Sequence, residues 1–203
     1  EERGHTDAHG VHHEGHDGHG CPRLGIDLDT PCQIHATDLG ADSQTAGFVE
    51  GDTPTLRELL RVMLIYSAND AAENIAINVA GSEEAFVELM NEKAQELGMT
   101  NTHFMNPHGL DEDGHYSTVS DLALMGRVAL SEYPFIAGTV HTRSVTVSVA
   151  GTQKTFHSTD ELLGTYDGIR GIKTGYVAGS AAFLGACQRN GLELFTCVLG
   201  AQT

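Results

Sequence analysis

The chain has 203 residues, 40% of them hydrophobic, and a formal net charge of −17. That is enough apolar material for one sizeable domain or two closely packed lobes. The acidity argues against nucleic acid and anionic membrane surfaces as main partners, and no apolar run is long enough to cross a bilayer.

Residues 1–23 stand apart as a histidine-rich head. His5, His9, His12, His13, His16 and His19 lie there among Gly, Asp and Glu, with almost no apolar residue. Such a segment buries too little surface to offset its chain entropy, so disorder is expected, and loose Zn, Ni or Cu binding is its simplest independent function. No secretory leader pattern is present, so a leader has been removed or the start is not complete. The remaining residues, 24–203, read as one domain.

Residues 24–52 read as irregular, with short extended pieces. Helical patterning begins after Asp52. Thr55-x-x-Glu58 is a capping box, and Leu56, Leu59, Leu60, Met63 and Leu64 form an apolar stripe. Tyr66-Ser67-Ala68-Asn69-Asp70 interrupts it. Asp70, with Glu73 three residues on, is placed to cap a second helix that Gly81 ends. Ser82 caps a third, carrying Phe86, Leu89, Met90 and Leu97 and stopped by Gly98.

Turn formers crowd residues 99–116, where His103 and His108 read as structural hydrogen-bonding groups. A fourth helix is expected over 118–130, with Leu122, Leu124, Met125 and Val128 inward, and Pro134 marks its end. The period then becomes two: Val145, Val147 and Val149 alternate with polar residues, and Ala150-Gly151 turns the chain into a partner strand over 153–156. Further strands are expected over 171–175, 181–188 and 192–199, the last two joined by a tight turn at Arg189-Asn190-Gly191. Helices in the middle followed by antiparallel strands give an α+β class. Of the four cysteines, Cys21, Cys32, Cys187 and Cys197, none has metal-ligand spacing. Cys187 and Cys197 read as buried thiols or as a cross-strand disulfide.

Two short motifs carry chemistry. Lys173-Thr174-Gly175 on a strand presents an ammonium and a hydroxyl to a carboxylate, and the glycine leaves room for a substrate backbone along the strand edge. Lys173 is one of only three lysines, and with Arg170 it forms the one local basic patch expected. Ser67-Ala68-Asn69 lies between two helices. In this order the two motifs resemble the second and third elements of the penicillin-recognising serine enzymes.

The resemblance extends further. Leu56-Arg57-Glu58-Leu59-Leu60 leading into Ser67-Ala68-Asn69-Asp70-Ala71-Ala72 looks like the low-molecular-mass D-alanyl-D-alanine carboxypeptidases. So do Gly98-Met99-Thr100-Asn101-Thr102-His103-Phe104, Asn106-Pro107-His108-Gly109-Leu110 and Gly168-Ile169-Arg170-Gly171-Ile172-Lys173-Thr174-Gly175-Tyr176. The match runs from about residue 27 to the end in the family's order. It implies a β-lactamase/transpeptidase-like fold, no cofactor, no metal, and a place on the outer side of a bacterial membrane. The implied substrate is a peptidoglycan stem peptide ending in D-Ala-D-Ala, with β-lactams as trapping mimics. The implied site is Ser67 as proton relay, Asn69 as orienting group, and Lys173, Thr174 and Gly175 as the carboxylate-binding edge.

The chain departs from the family in four places. The nucleophile motif, Ser-x-x-Lys, is absent: Met90, Gly151 and Arg170 stand three residues before Lys93, Lys154 and Lys173. The family's Asn-Thr-Asn-type segment is replaced by Ser158-Thr159-Asp160-Glu161. The strands that precede the nucleophile and the helix that follows the last strand have no counterpart, so an exposed last strand and low stability are expected. Finally, the head permits a frame-shifted reading. Codons for residues 11–22, read one base later with suitable third bases, translate as Ser-Thr-Thr-Lys-Val-Met-Thr-Ala-Met-Ala-Ala. The junction of Glu14 and Gly15 allows only Lys or Arg whatever the third bases. Two readings compete with an inactive carboxypeptidase: a non-catalytic D-Ala-D-Ala-binding module and a metal-binding protein acting through the head.

Overall fold

The computed structural model describes residues 20–21, 25–177 and 179–202. The histidine-rich head otherwise lies outside the described residues. Two short strands, β1 (Gly20–Cys21) and β2 (Ile26–Asp27), pair antiparallel. The chain then runs beside the start of α1 (Leu56–Tyr66), where Leu56 and Arg57 donate their N–H groups to Thr30 and Leu28.

Helix α1 starts where the capping box predicts: Thr55 Oγ1 accepts from Glu58 N–H, and the Glu58 carboxylate accepts from Thr55 N–H. Its buried face is Leu56, Leu59, Val62 and Ile65, while Leu60, Met63 and Leu64 are only partly buried. The expected stripe is therefore rotated. The reason is tertiary, because Val62 and Ile65 pack in one cluster with Val145, Val147, Val149 and Phe156 of the hairpin β3 (Ser144–Val149) and β4 (Thr152–His157). Positive φ at Ala150 (51°) and Gly151 (70°) fits the two-residue hairpin turn read from sequence.

Helix α2 (Asn69–Ala80) corrects one expectation. Its N-cap is Ala68, with no side-chain cap bond. Asp70 caps a loop instead: its carboxylate accepts from the N–H groups of Ala46 (2.9 Å), Gly47 (2.9 Å) and Phe48 (3.2 Å). Helix α3 (Glu83–Leu97) is capped by Ser82 as expected, yet Ala94 is its only buried residue. Phe86, Leu89, Met90 and Ala94 line an apolar groove of about 450 Å³ shared with Met125 and Tyr133.

Helix α4 (Val119–Glu132) is capped by Thr118. Pro134, expected only to end it, opens a further helix, α5 (Pro134–Val140). Proline suits the first helical position, where its missing N–H has no partner to lose. The last three strands, β5 (Ile169–Val177), β6 (Ser180–Arg189) and β7 (Leu192–Gln202), form an antiparallel sheet in that order, separate from the β3–β4 hairpin. Asn190 (φ 51°) and Gly191 (φ 78°) make the predicted tight turn. Leu130, Val140, Ile172, Leu184 and Ala186 form a second apolar cluster between α4, α5 and this sheet. Cys187 and Cys197 are free thiols opposite Leu194 and Leu184, so the disulfide alternative does not hold. One face of β7 reaches this cluster through Phe195 and Cys197, while Leu192, Leu194, Val198 and Leu199 remain exposed.

Candidate active site

The site forms where the end of α1 meets strand β5. Ser67 ends α1 in the left-handed conformation (φ 65°, ψ 40°), with its N–H bonded to Met63 O. A non-glycine residue adopts this conformation only at a cost, which local contacts must hold in place. They are present. The Gln44 side chain donates to Tyr66 O, Gln44 O accepts from Asn69 N–H at 2.8 Å, and Asp70 fixes the next loop residues as described. Ser67 therefore projects from a braced corner rather than from a helix face.

Strand β5 supplies the other half. Gly171 has φ 98° at a register irregularity between Ile169 and Ile172, and a Cβ there would lie 2.9 Å from Val140 O. This glycine bulge lets Ile172 enter the second cluster and sends the next residue, Lys173, toward α1. Lys173 Nζ donates to Ser67 Oγ at 2.7 Å and to Thr174 O at 2.8 Å. It forms no ion pair with any described residue, and burial lowers its pKa to about 8. Desolvation disfavours the charged amine, and no carboxylate restores it.

Thr174 shares a 2.5 Å hydroxyl–hydroxyl hydrogen bond with Thr159, and Thr159 N–H donates to Ile65 O at 3.2 Å. Segment 158–161 thus ties β5 to the end of α1. Sequence reading had treated that segment only as a departure from a motif. Its Asp160 is buried. One carboxylate oxygen accepts from Leu162 N–H, and the other has no partner among the described residues. Gly175 and Tyr176 are exposed, and β5 pairs only with β6. The outer edge of β5 is therefore open at the site among the described residues. Asn69 is buried and donates its amide to Ser43 Oγ at 2.7 Å, a partner that no sequence motif pointed to.

Two further side chains resolve differently. Arg170, grouped with Lys173 from sequence, points to Glu193 (3.0 Å) and Gln188 (3.3 Å) on the neighbouring strands. The bulge separates the two cations, so the expected basic patch reduces to Lys173 alone. His103 bonds Gly114 O through Nδ1 and stacks on Tyr116. His108 Nδ1 accepts from Leu110 N–H, and its Nε2 lies 3.7 Å from Glu73. Both histidines organise the turn-rich segment. No described group of three His, Cys, Asp or Glu side chains is placed to hold a metal ion.

One ammonium and three hydroxyls thus converge beside an open strand edge, a donor set suited to a carboxylate at the end of an extended peptide. Comparison with known proteins gives the family. The profile of the D-alanyl-D-alanine carboxypeptidases matches residues 24–203. D-alanyl-D-alanine carboxypeptidase DacF of Bacillus subtilis is 39% identical over 173 residues, 83% of this chain and 43% of its own length. The chain thus spans under half of that relative. A solved D-alanyl-D-alanine carboxypeptidase of Mycobacterium tuberculosis superposes with a TM-score of 0.81 at 32% identity, over 90% of this chain and 71% of the other. Penicillin-binding protein D2 of Listeria monocytogenes, solved with cefotaxime bound, gives 0.78 at 30% identity, covering 90% and 73%. The fold is that of the penicillin-binding peptidases, and the chain belongs to the D-alanyl-D-alanine carboxypeptidase family.

Proposed function

We propose that this chain recognises peptidoglycan stem peptides ending in D-Ala-D-Ala, outside the bacterial cytoplasm, without releasing the terminal D-alanine. The observation that carries the reading is the Lys173 ammonium bonded at 2.7 Å to Ser67, beside the Thr174 hydroxyl, at an open strand edge. Lys173 and Thr174 take the terminal carboxylate. Gly175 leaves the edge clear for the peptide backbone, and Ser67 and Asn69 close the site from the helical side. The chain encodes no Ser-x-x-Lys in frame, and loss of a nucleophile or its base costs about 10⁴–10⁶ in rate in coupled serine sites. Hydrolysis and stoichiometric penicillin acylation are therefore absent.

The test is calorimetric titration with diacetyl-L-lysyl-D-Ala-D-Ala beside its C-terminal amide. The acid binds and the amide does not. Lys173→Ala lowers the affinity about ten- to a hundredfold, the range for a charge-assisted contact. A peptide that binds equally as acid and amide refutes the assignment of Lys173. One covalent penicillin per chain refutes the absence of turnover chemistry.

A further inference from the structure

Ser67 and Lys173 have a second chemical meaning that does not need D-Ala-D-Ala. A hydroxyl 2.7 Å from an amine is at proton-transfer distance, and serine–lysine pairs of this kind serve as nucleophile and base on unrelated folds. Three features of this pair favour reaction over mere structure. Ser67 sits at φ 65°, on a braced corner where its hydroxyl projects clear of the helix. A strained turn is a recurring way of presenting a serine nucleophile. Lys173 has no carboxylate partner among the described residues to keep it charged, and its desolvated surroundings bring the neutral amine within reach of mild alkali. The outer edge of β5 beside it, at exposed Gly175 and Tyr176, is open among the described residues.

We propose that Ser67 is a nucleophile in its own right, with Lys173 as its general base, toward uncharged activated acyl and phosphonyl donors. In the step with a fluorophosphonate, the Ser67 Oγ–H proton passes to the neutral Lys173 amine. The Oγ–P bond forms, the P–F bond breaks and fluoride leaves. The product is a phosphonylated serine beside a lysine ammonium. An activated ester reacts in the same way, with C–O cleavage and loss of its alkoxide or phenoxide. Charged donors are excluded for a physical reason. A carboxylate at Thr174 holds Lys173 as the ammonium and so withdraws the base. The pair therefore reacts with neutral reagents even though penicillins, which carry a carboxylate, do not acylate the chain.

Among the described residues Lys173 is hydrogen-bonded to Ser67 from the α1–α2 corner and to Thr174 O on its own strand. Thr159 joins them through Thr174. None of these groups ionises near neutrality, so the rate rises with pH through about 8, following the lysine.

The experiment incubates the whole chain with an uncharged alkyl fluorophosphonate between pH 6 and 10 and maps the adduct by tandem mass spectrometry. The probe is chosen because its serine adduct survives digestion while an imidazole adduct does not. One phosphonyl group is expected, on Ser67, with a rate that climbs through about pH 8. Lys173→Met, which keeps most of the unbranched side chain without the base, slows labelling at least about a hundredfold. Ser67→Gly, which suits the left-handed backbone, abolishes it. Labelling on any other residue, no labelling at pH 10, or a wild-type rate in Lys173→Met overturns the proposal. The wild-type map decides the matter even where a variant fails to fold. Failure here leaves D-Ala-D-Ala binding untouched, and failure of peptide binding leaves this labelling untouched.

Discussion

Lys173 stabilises a function at the expense of the fold. Its amine lies among desolvating neighbours with two hydrogen bonds and no counter-charge among the described residues, and its pKa falls to about 8. An unfolded lysine titrates near 10.4. Between those values the unfolded chain holds the proton and the folded chain does not, so stability rises with pH across that window. Below about pH 8 the full penalty is present. Replacing Lys173 by Met removes the buried charge while leaving Ser67 and Thr174 O accessible to water. At pH 7 the variant is expected to be more stable by on the order of 1–2 kcal/mol, an advantage that fades between about pH 8 and 10. Urea denaturation across pH measures it, and a variant less stable than wild type at pH 7 would show that the two hydrogen bonds outweigh the burial. The residue was legible because Lys-Thr-Gly is a motif and lysines are few. Its partner Thr159 was not, because a threonine on a loop has no sequence signature until the loop's path is known.

Among the elements, local signals were the most readable. Thr55 and Ser82 cap α1 and α3 as their sequences indicate, because the cap bond spans three residues and needs no distant partner. Asp70 shows where that reasoning stops. Its position favours an N-cap, but the carboxylate accepts three N–H groups from residues 46–48, over twenty positions away. Three charge-assisted bonds outweigh one cap bond, and they anchor the loop whose Ser43 and Gln44 hold Asn69 and the corner at Ser67. Asp70→Ala leaves three donors without their carboxylate, at buried Ala46, exposed Gly47 and half-buried Phe48, and the expected loss is about 2–4 kcal/mol. Asp70→Asn keeps one acceptor and falls between. Equal stability of Asp70→Ala and wild type in urea would remove this loop from the account of the site. The rotation of α1 toward Val62 and Ile65, and the start of α5 at Pro134, escaped sequence reading for the same reason. Both depend on which element packs alongside, which periodicity does not specify.

At the scale of the molecule, the site is a joint between two apolar clusters. Ser67 stands at the end of α1 in the cluster shared with α2 and the β3–β4 hairpin, and Lys173 stands on β5, whose neighbour Ile172 lies in the cluster under α4 and α5. The resemblance implied which residues belong together, but the distance between them is set by how these two clusters seat against each other. Within the second cluster α4 lies close against the sheet at Gly126, where a Cβ would lie 2.9 Å from Ile172 Cδ1 and 3.2 Å from Leu184. That approach allows little accommodation, because both contacts are core side chains already filling their space. Gly126→Ala therefore pushes α4 from the sheet and displaces Ile172, the residue adjoining Lys173. Overpacking of this kind costs about 1–3 kcal/mol. The more telling consequence is at the site. Affinity for the D-Ala-D-Ala peptide and the fluorophosphonate rate of Ser67 should both fall several-fold in Gly126→Ala, although residue 126 touches neither group. Calorimetry and labelling on the same preparation, well below its unfolding midpoint, measure the effect. Unchanged values in a measurably destabilised variant would mean that the Ser67–Lys173 contact is held by the bonds through Thr159 and Thr174 alone, and not by the packing of α4 under β5.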